Sequence, residues 1–468
     1  MRFFNATRVL ALCVLTFALV TIAQDAALAQ RIRVGTPVPT GQYAVPRPAP
    51  GTPTQTTAPP APVTAPAPVS APSPEPTPEP APAPTPAPAP APVPIEAQYP
   101  GAYVLYPGNS IQDAVNRSPA GTTFVLKAGV YARQSVRPKD GMKFIGEAGA
   151  ILDGQKAVPR AFDGENVNNV TVRGLRITNY APPETAAALE AINTTGWVVE
   201  NNEVDNNTNG SARAYGVRIG SGMILRGNSI HHNGWLGIAG YKAVNTLIES
   251  NEIYANPPAW FNDTIGEAAN IKLFDCGSIT IRNNFVHDSP FRGIWVDTMQ
   301  PDVTIDGNRV VNHGEAGIWY EVSYRGIIRS NYVENAGYNS YYSSGWLRGG
   351  GIEVTNSPDV SVLENTVANS LNGIIGLDAS SYADGPYGKN ELRNLLVQGN
   401  TIVMPRGQTG IAQNINNDGV FDSWNNQFIG NHYELSTNRT PFYWKGSNLD
   451  EWQWQGYGND VTSSSFSR

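Results

Sequence analysis

Residues 284–321 read NFVHDSPFRGIWVDTMQPDVTIDGNRVVNHGEAGIWYE and contain one short pattern twice, the second copy displaced by 24 residues. Each copy begins with Asn-x-apolar, at Asn284 and at Asn308. Each ends with Gly-Ile-Trp-x-acid, at residues 293–297 and 317–321. Self-similarity at a period of roughly 20 to 50 residues indicates stacked structural repeats. We therefore expect the two copies to form the same strand in successive turns of a coil.

The Asn-x-apolar element recurs along the chain at spacings of 26, 23, 33, 24, 23, 34, 35 and 26 residues. Its members begin at Asn202, Asn228, Asn251, Asn284, Asn308, Asn331, Asn365, Asn400 and Asn426. Asn tolerates left-handed backbone at turns, and its amide can hydrogen-bond to the next Asn along a coil. We therefore interpret this column as a structural ladder, with a basic period of 23 to 26 residues and three longer turns that carry insertions.

A second column consists of Gly followed by Ile or Val, with one Asn in place of Gly. It begins at Gly216, Gly237, Asn270, Gly293, Gly317, Gly351, Gly373 and Gly410. Short β-rich pieces separated by Gly, Asn and Asp, without helical periodicity between them, specify a parallel β-helix. Over roughly residues 105–430 the pattern resembles the right-handed parallel β-helix of the pectate-lyase-like superfamily. The resemblance implies an all-β solenoid, and a helical start within residues 107–120 predicts an N-terminal cap over its open edge.

The sequence divides into four segments. Residues 1–29 have a basic start, an apolar run and Ala27-Leu28-Ala29 at the end, which predicts a secretory signal peptide. Residues 30–96 are rich in Pro, Ala and Thr and predict a disordered, semi-rigid linker. We expect the β-helix at residues 97–430 and a C-terminal cap or tail at 431–468. This organisation predicts an exported protein that is periplasmic, attached to the cell envelope or extracellular.

Composition narrows the range of partners. The net charge of -7 and the pI near 5.4 argue against nucleic acid, because a nucleic-acid surface is normally basic. The apolar run at residues 9–23 is too short for a transmembrane helix, and no later stretch approaches the roughly 20 apolar residues that such a helix needs. After signal cleavage only Cys276 remains, so no intramolecular disulfide can form. We expect a monomer stabilised by burial and backbone hydrogen bonds.

Side chains alternate across a strand. If the Ile column faces inward, the first and the third residue after each Ile face outward. The first outward column is Arg218, Ala239, Lys272, Trp295, Trp319, Glu353, Ile375 and Ala412. The second is Gly220, Tyr241, Phe274, Asp297, Glu321, Thr355, Leu377 and Asn414. Insertions at residues 256–268, 336–350 and 379–393 flank these columns and predict the walls of a groove.

We predict that the groove binds substrate through polar and aromatic side chains. The candidates are Arg218, Lys272, Trp295, Trp319, Glu353, His287, Asp288, Tyr324 and the loop residue Trp346. Aromatic faces suit stacking against the apolar face of a sugar ring. Two structural alternatives remain open: Trp295 and Trp319 pack on each other under a loop, and Lys272 and Glu353 form an exterior salt-bridge network.

Asp297 and Glu321 close the two copies of the opening pattern and are the catalytic candidates. Like charges directly opposite on a sheet destabilise it, so a purely structural role explains the pair poorly. Two close carboxyls favour one protonated and one ionised group. Neighbouring strands lie roughly 4.7 to 4.9 Å apart. Retaining glycosidases need carboxyls about 5 to 5.5 Å apart, so adjacent turns fit that mechanism.

The segment Gly293-Ile294-Trp295-Val296-Asp297, followed one turn later by Glu321-Val322, also resembles the active-site segment of the parallel-β-helix β-xylosidases among glycoside hydrolases. The resemblance implies that Asp297 is the nucleophile and Glu321 the acid/base. The inserted β-sandwich of that family is missing from this sequence, so the resemblance does not extend to xylose specificity. The expected substrate is an oligosaccharide or polysaccharide, and no cofactor is expected.

Two other functions compete with hydrolysis. A polysaccharide lyase or uronate epimerase needs a base and a cationic group or metal beside a carboxylate, for which Lys272, Arg218 and Tyr324 are available. Calcium is expected only for this second function. The third function is a noncatalytic glycan-binding surface protein, which leaves the carboxyl pair unexplained.

Overall fold

The computed structural model describes residues 95–210, 213–258, 266–339, 347–379 and 384–468. The signal peptide predicted at 1–29 and nearly all of the linker predicted at 30–96 lie outside these ranges. Within the described part, successive turns of the chain add strands to three sheets, which we call sheets A, B and C. All pairs are parallel except the last pair in sheet C. The predicted parallel β-helix is confirmed.

Strands are numbered in chain order over the described residues. Sheet A contains β1 (Tyr103–Leu105), β2 (Thr123–Leu126), β4 (Lys143–Gly146), β7 (Thr171–Arg173), β10 (Val198–Glu200), β13 (Ile224–Arg226), β16 (Leu247–Glu249), β19 (Thr280–Arg282), β22 (Thr304–Asp306), β25 (Ile327–Arg329), β28 (Ser361–Leu363), β31 (Leu396–Gln398) and β34 (Gln427–Ile429). Sheet B contains β3 (Gly129–Ala132), β5 (Ala150–Asp153), β8 (Arg176–Thr178), β11 (Glu203–Asp205), β14 (Ser229–His231), β17 (Glu252–Tyr254), β20 (Phe285–Ser289), β23 (Arg309–His313), β26 (Tyr332–Ala336), β29 (Thr366–Ala368), β32 (Thr401–Val403), β35 (His432–Glu434) and β38 (Ser465–Ser467). Sheet C contains β6 (Phe162–Asp163), β9 (Ala187–Glu190), β12 (Tyr215–Ile219), β15 (Leu236–Tyr241), β18 (Ala269–Phe274), β21 (Arg292–Asp297), β24 (Ile318–Glu321), β27 (Gly350–Thr355), β30 (Asn372–Asp378), β33 (Thr409–Gln413), β36 (Phe442–Trp444) and β37 (Ser447–Leu449).

The helices of the described part are short. They are α1 (Ile95–Gln98), α2 (Ile111–Arg117), α3 (Gly419–Asp422) and α4 (Glu451–Gly456). No helix among the described residues combines the length and the apolar composition that crossing a membrane requires.

The two copies of the opening pattern occupy equivalent positions in neighbouring turns. Ile294 of β21 is the Cα partner of Ile318 in β24, which is in turn the partner of Ile352 in β27. All three side chains are fully buried in a core that extends from Leu105 to Trp454. The inward orientation of the Ile column is confirmed for these turns. The residues that follow, Trp295, Trp319 and Glu353, therefore face outward.

The register of the last Gly-Ile element differs from the prediction by two residues. Ile411 pairs with Gly376, and Ala412 pairs with Leu377 rather than with Ile375. This register is possible because residue 376 is a glycine. A Cβ at that position would lie only 2.9 Å from Cγ1 of Ile411. A two-residue shift preserves the face on which each side chain lies, since side chains alternate with period two.

The Asn column forms a continuous hydrogen-bonded ladder between sheets A and B. At its centre, Asn284 Nδ2 donates to Asn308 Oδ1 at 2.9 Å, and Asn308 Nδ2 donates to Asn331 Oδ1 at 3.0 Å. The same contact links Asn202, Asn228, Asn251, Asn284, Asn308, Asn331, Asn365, Asn400 and Asn431, and then Asp460. Assigning Asn426 to the ladder was wrong, because it precedes a sheet A strand and bonds Leu392 and Val420 instead.

Replacing Asn308 by Ala is expected to lower the free energy of unfolding by about 2 to 4 kcal/mol, because it leaves several buried ladder groups without partners. Asn308 donates to Ile281 O at 2.9 Å and accepts from the backbone N–H of Asn284 at 3.0 Å, in addition to its contacts within the ladder. Chemical denaturation measures the change. Asn116→Ala on the exposed face of α2 is the control, and an equal loss in both variants would contradict a specific role for the ladder.

A second Asn ladder, which the sequence reading missed, lies between sheets B and C. Asn207, Asn233, Asn256 and Asn270 are joined by side-chain hydrogen bonds of 3.0 to 3.1 Å. Asn270 Nδ2 then meets His313 Nε2 at 3.3 Å. Burial lowers the pKa of His313 to about 3, so the imidazole is neutral at ordinary pH and Nε2 can accept this hydrogen bond.

The Gly column is explained by close approach to the core. A Cβ on Gly293 would lie 2.8 Å from Val310 Cγ1 and 2.4 Å from the carbonyl oxygen of Gly317. A side chain cannot fit there without a shift of backbone. Gly293 and the following Ile294 therefore both approach the interior, and strict alternation fails at this point of the strand.

The N-terminal end of the coil is covered as predicted. Helix α2 packs Ile111, Ala114 and Val115 into the same core as the strands. Ser110 caps the helix by accepting a hydrogen bond from the Asp113 N–H at 3.1 Å. The helical cap predicted within residues 107–120 is confirmed.

Parallel pairing continues beyond residue 430, where the prediction placed the end of the β-helix. Strand β35 pairs with β32, and β38 pairs with β35 in sheet B. Trp444 and Trp454 are buried in the core at this end, whereas Trp452 is exposed. The segment 431–468 thus adds strands to the coil as well as covering its end.

Candidate active site

Asp297 and Glu321 are the last residues of β21 and β24 and are direct Cα partners. Both lie outside the main core, on the outer face of sheet C. They are nevertheless largely covered, because the Asp297 side chain is 13% exposed and Glu321 is 5% exposed. Among the described residues most of the predicted outward strip is thus buried, and parts of the three insertions predicted to wall the groove lie outside the described ranges.

Asp297 lies in a charged environment. Its Oδ2 is 2.9 Å from Lys272 Nζ, and its Oδ1 accepts a hydrogen bond from Thr298 Oγ1 at 2.7 Å. Lys272 also forms an ion pair with Glu267, just before strand β18. The ammonium group thus bridges two carboxylates across adjacent turns of the coil.

The Lys272 ammonium is stabilised in its charged form. Burial lowers the pKa of Lys272, but the carboxylates of Asp297 and Glu267 outweigh burial and raise the pKa overall. For Glu267, burial raises the pKa and is only partly offset by Lys272. The charged Lys272 ammonium therefore lies between the carboxyl groups of Asp297 and Glu267.

Glu321 has a different environment. Its Oε2 accepts a hydrogen bond from the indole Nε1–H of Trp295 at 3.0 Å. This donor is neutral, whereas the donor to Asp297 from Lys272 is a cation. The partners of the two carboxyls thus include a cation at Asp297 and a neutral indole donor at Glu321.

Trp295 and Trp319 stack on each other, with ring centroids 4.9 Å apart and an interplanar angle of 10°. Lys272 Nζ lies 3.4 Å from the centroid of the Trp295 ring, and Arg348 Cζ lies 4.7 Å from that of Trp319. Arg292 Cζ is within 4.7 Å of both centroids. The two indoles thus pack on each other and are covered by cations. This arrangement matches the alternative interpretation, in which the indoles pack together instead of stacking on a sugar.

Two other predicted binding residues are engaged in ion pairs. Glu353 Oε1 accepts the Gly350 N–H at 2.9 Å, and Oε2 lies 3.5 Å from Arg348. Arg218 Nε lies 3.2 Å from Glu190 Oε1. Burial raises the pKa of Glu190 despite the opposing effect of Arg218. Glu353 therefore pairs with Arg348 and Arg218 with Glu190. The alternative interpretation placed Glu353 in one network with Lys272, whose ion pairs are with Asp297 and Glu267.

The structure does not group the remaining candidates with the carboxyl pair. His287 lies on sheet B, where its ring stacks on Tyr254 at 4.8 Å and its Nδ1 lies 2.9 Å from Asp288. Tyr324 is buried and donates its hydroxyl to Gly388 O at 3.0 Å, and burial raises its pKa, which does not suit a base. Trp346 lies outside the described residues.

The sequence reading missed three groups that hold the site. Glu267 and Arg348 lie in insertions, whose conformation a repeat pattern does not give. Arg292 lies two positions before Ile294 and would face inward by strict alternation, yet it pairs with Glu315 at 2.6 Å on the outer face. Recognising that Gly293 breaks the alternation would have placed Arg292 correctly.

Asp378 anchors the insertion that follows β30. Its Oδ2 accepts the Leu392 N–H at 2.8 Å, and its Oδ1 accepts from Asn356 Nδ2 at 3.2 Å. Burial raises the pKa of Asp378 to about 6. An acid whose pKa is raised by folding contributes stability that is present below its unfolded pKa of about 3.9 and lost as the pH rises through its folded pKa.

We therefore expect Asp378→Asn to flatten part of the pH dependence of folding. Between about pH 4 and pH 7 the wild type should lose about 1 to 3 kcal/mol of unfolding free energy relative to the variant. Urea denaturation of both proteins across this range measures the difference. A constant difference between the two proteins at every pH would show that Asp378 does not titrate in this window.

The fold relates the chain to a known family. Residues 161–321 and 262–402 match the family described as right handed beta helix region, and together these matches span more than half of the sequence. The chain belongs to this family, whose description also gives the hand of the coil. A comparison with curated protein sequences finds no match.

Two solved structures share the architecture. The A-module of mannuronan C-5 epimerase AlgE6 from Azotobacter vinelandii aligns with a TM-score of 0.51 and 16% identity, over 76% of this chain and 92% of that chain. A PL6 family polysaccharide lyase from Pseudopedobacter saltans aligns with a TM-score of 0.51 and 11% identity, over 79% of this chain and 93% of that chain. At 16% and 11% identity, these similarities show that the three proteins share a fold.

Proposed function

We propose that the protein is a carbohydrate-active enzyme and, within that class, a retaining glycoside hydrolase. The observation that carries this proposal is the direct pairing of Asp297 with Glu321 in adjacent strands, with a cation beside the first and a neutral indole donor beside the second. Strands spaced about 4.8 Å apart bring two such carboxyls near the separation of about 5 to 5.5 Å that retaining glycosidases use.

In the proposed reaction Asp297 is the nucleophile and Glu321 the acid/base. Protonated Glu321 gives its proton to the glycosidic oxygen while Asp297 attacks the anomeric carbon, which forms a covalent glycosyl-enzyme and releases the leaving sugar. Glu321, now ionised, removes a proton from water, which displaces Asp297 and regenerates both groups. Lys272 holds Asp297 in place through an ion pair at 2.9 Å.

A polysaccharide lyase or epimerase is the competing proposal, since both solved structures named above carry such activities in their names. One fold hosts many reactions, so this likeness does not choose between them. The cations around the carboxyl pair are already paired with acids: Lys272 with Asp297, Arg218 with Glu190, Arg292 with Glu315 and Arg348 with Glu353. This observation favours hydrolysis, and a calcium requirement stays a prediction of the lyase alternative.

The proposal also includes the substrate class and the place where the protein acts. The substrate is an oligosaccharide or polysaccharide, and the protein acts after export, in the periplasm, at the cell envelope or outside the cell. The monomeric state, the signal peptide at 1–29 and the linker at 30–96 stay predictions. Among the described residues no group of three or more His, Cys, Asp or Glu side chains is arranged to hold a metal ion.

A screen of plant, algal and microbial glycans tests the proposal. Hydrolysis releases new reducing ends without a change in ultraviolet absorbance, whereas a lyase produces an unsaturated, absorbing product. We expect reducing ends alone, and we expect activity to survive chelation of calcium. An absorbing product or a strict calcium requirement would favour the lyase, and binding without turnover across the panel would favour a glycan-binding protein.

A further inference from the structure

Solvent exposure changes steadily along the column that contains the carboxyl pair. Tyr241, Phe274, Asp297 and Glu321 are successive Cα partners in strands β15, β18, β21 and β24. Tyr241 is 42% exposed and Phe274 is half-buried. Beyond Glu321 the same column continues into Thr355 and Leu377, which are each 1% exposed.

The open end of this column has the composition of a sugar-binding surface. The rings of Tyr241 and Phe274 lie 5.8 Å apart at an angle of 28°. The next residues are Lys242, which is exposed, and Asp275, which is partly exposed. They form a loose ion pair at 4.0 Å, and Lys242 Nζ lies 5.1 Å from the Tyr241 ring centroid. Aromatic carbon beside exposed polar groups suits a pyranose ring, which has apolar C–H faces and a rim of hydroxyls.

We propose that Phe274 and Tyr241 form the subsites for the sugar units one and two positions from the cleaved bond, and that the side of Thr355 and Leu377 is closed, so the enzyme removes sugars from a chain end. This inference rests on the proposed hydrolytic function of Asp297 and Glu321. One turn of the coil rises about 4.8 Å, close to the length of one sugar unit, so successive turns meet successive units.

The subsite assignment predicts a length-dependent effect. A disaccharide contacts Phe274 but does not reach Tyr241, whereas a trisaccharide reaches both. We therefore expect Tyr241→Ala to lower kcat/KM about five- to tenfold on trisaccharides and longer substrates and to leave disaccharides within about twofold of wild type. Phe274→Ala should lower kcat/KM on every length. Tyr106→Ala, at an exposed tyrosine outside sheet C, is the matched control.

The experiment uses xylo-, cello- and laminari-oligosaccharides of two to six units, together with the parent polymers. We expect a single short sugar to be the first product from each cleaved polymer. Early release of oligosaccharides of mixed length would overturn the closed end, and an equal effect of Tyr241→Ala on disaccharide and trisaccharide would overturn the subsites. Circular dichroism checks that the variants fold.

Calorimetry with the Asp297→Asn variant separates this inference from the proposed function. If that variant binds a tetrasaccharide and added Tyr241→Ala weakens binding about five- to tenfold, the subsites stand even where wild type does not hydrolyse the probe. If, in addition, no glycan in the screen is hydrolysed, the hydrolytic proposal fails alone. If wild type hydrolyses the tetrasaccharide and Tyr241→Ala changes neither binding nor kcat/KM, the subsites fail alone.

Discussion

Asp297→Asn and Glu321→Gln should each reduce kcat on a cleaved glycan by about a thousandfold or more, because each removes a group that acts directly on the reacting bond. Both replacements are nearly isosteric, so the indole of Trp295 and the ammonium of Lys272 keep their neighbours. Glu434→Gln, at an exposed acid on sheet B, should retain full activity. Near wild-type kcat in either site variant would remove that residue from the proposed mechanism.

Azide distinguishes the roles of the two carboxyls. In Asp297→Ala, azide can replace the missing nucleophile and should give a glycosyl azide of inverted configuration. In Glu321→Ala, the glycosyl-enzyme still forms with an activated substrate, and azide should give a product of retained configuration. The reverse pattern would exchange the two assignments.

Lys272→Met should lower the free energy of unfolding by about 3 to 5 kcal/mol, because removal of one partner leaves buried carboxylates without compensation. It should also lower kcat strongly, since the Asp297 carboxyl loses the ion pair that holds its Oδ2. Because folding raises the pKa of Lys272, its stabilising effect is present below its unfolded pKa of about 10.4 and is lost as the pH rises through the folded value. Urea denaturation and kinetics measure both effects.

Two further variants separate charge from packing at this position. Lys389→Met removes an exposed lysine that pairs with Glu391 at 3.3 Å and should change stability by less than about 1 kcal/mol. Adding Glu267→Gln to Lys272→Met removes one of the two acids that lost their lysine partner. The double variant should regain part of the stability without regaining kcat. If the double variant is less stable than Lys272→Met, Glu267 is not one of the charges that Lys272 compensates.

The repeat was predictable from sequence because its structural demands are local. Ile294 and Ile318 must be apolar to fill the core, Gly293 must lack a side chain to approach Val310, and Asn308 must bond its neighbours in the ladder. These demands recur in each turn and leave a periodic signal. The outward position of Asp297 and Glu321 followed from the same register, which made the carboxyl pair identifiable.

The surroundings of the pair could not be predicted in the same way. Glu267 and Arg348 come from insertions that follow no period, and their contacts depend on loop conformation. Alternation also says which face a residue occupies but not what covers it, so the sequence left both sugar stacking and mutual packing open for Trp295 and Trp319. Tyr241 lay in the predicted outward column, but only the exposure of its side chain distinguishes it from buried members of that column.

The configuration of the first product tests the central claim most directly. Proton NMR of an anomerically pure substrate during its first turnovers, before the released sugar mutarotates, reports whether the new hemiacetal keeps the configuration of the cleaved bond. Attack by Asp297 followed by water at the same centre predicts retention. Inversion would mean that water attacks directly, and it would contradict Asp297 as a nucleophile paired with Glu321 in adjacent turns.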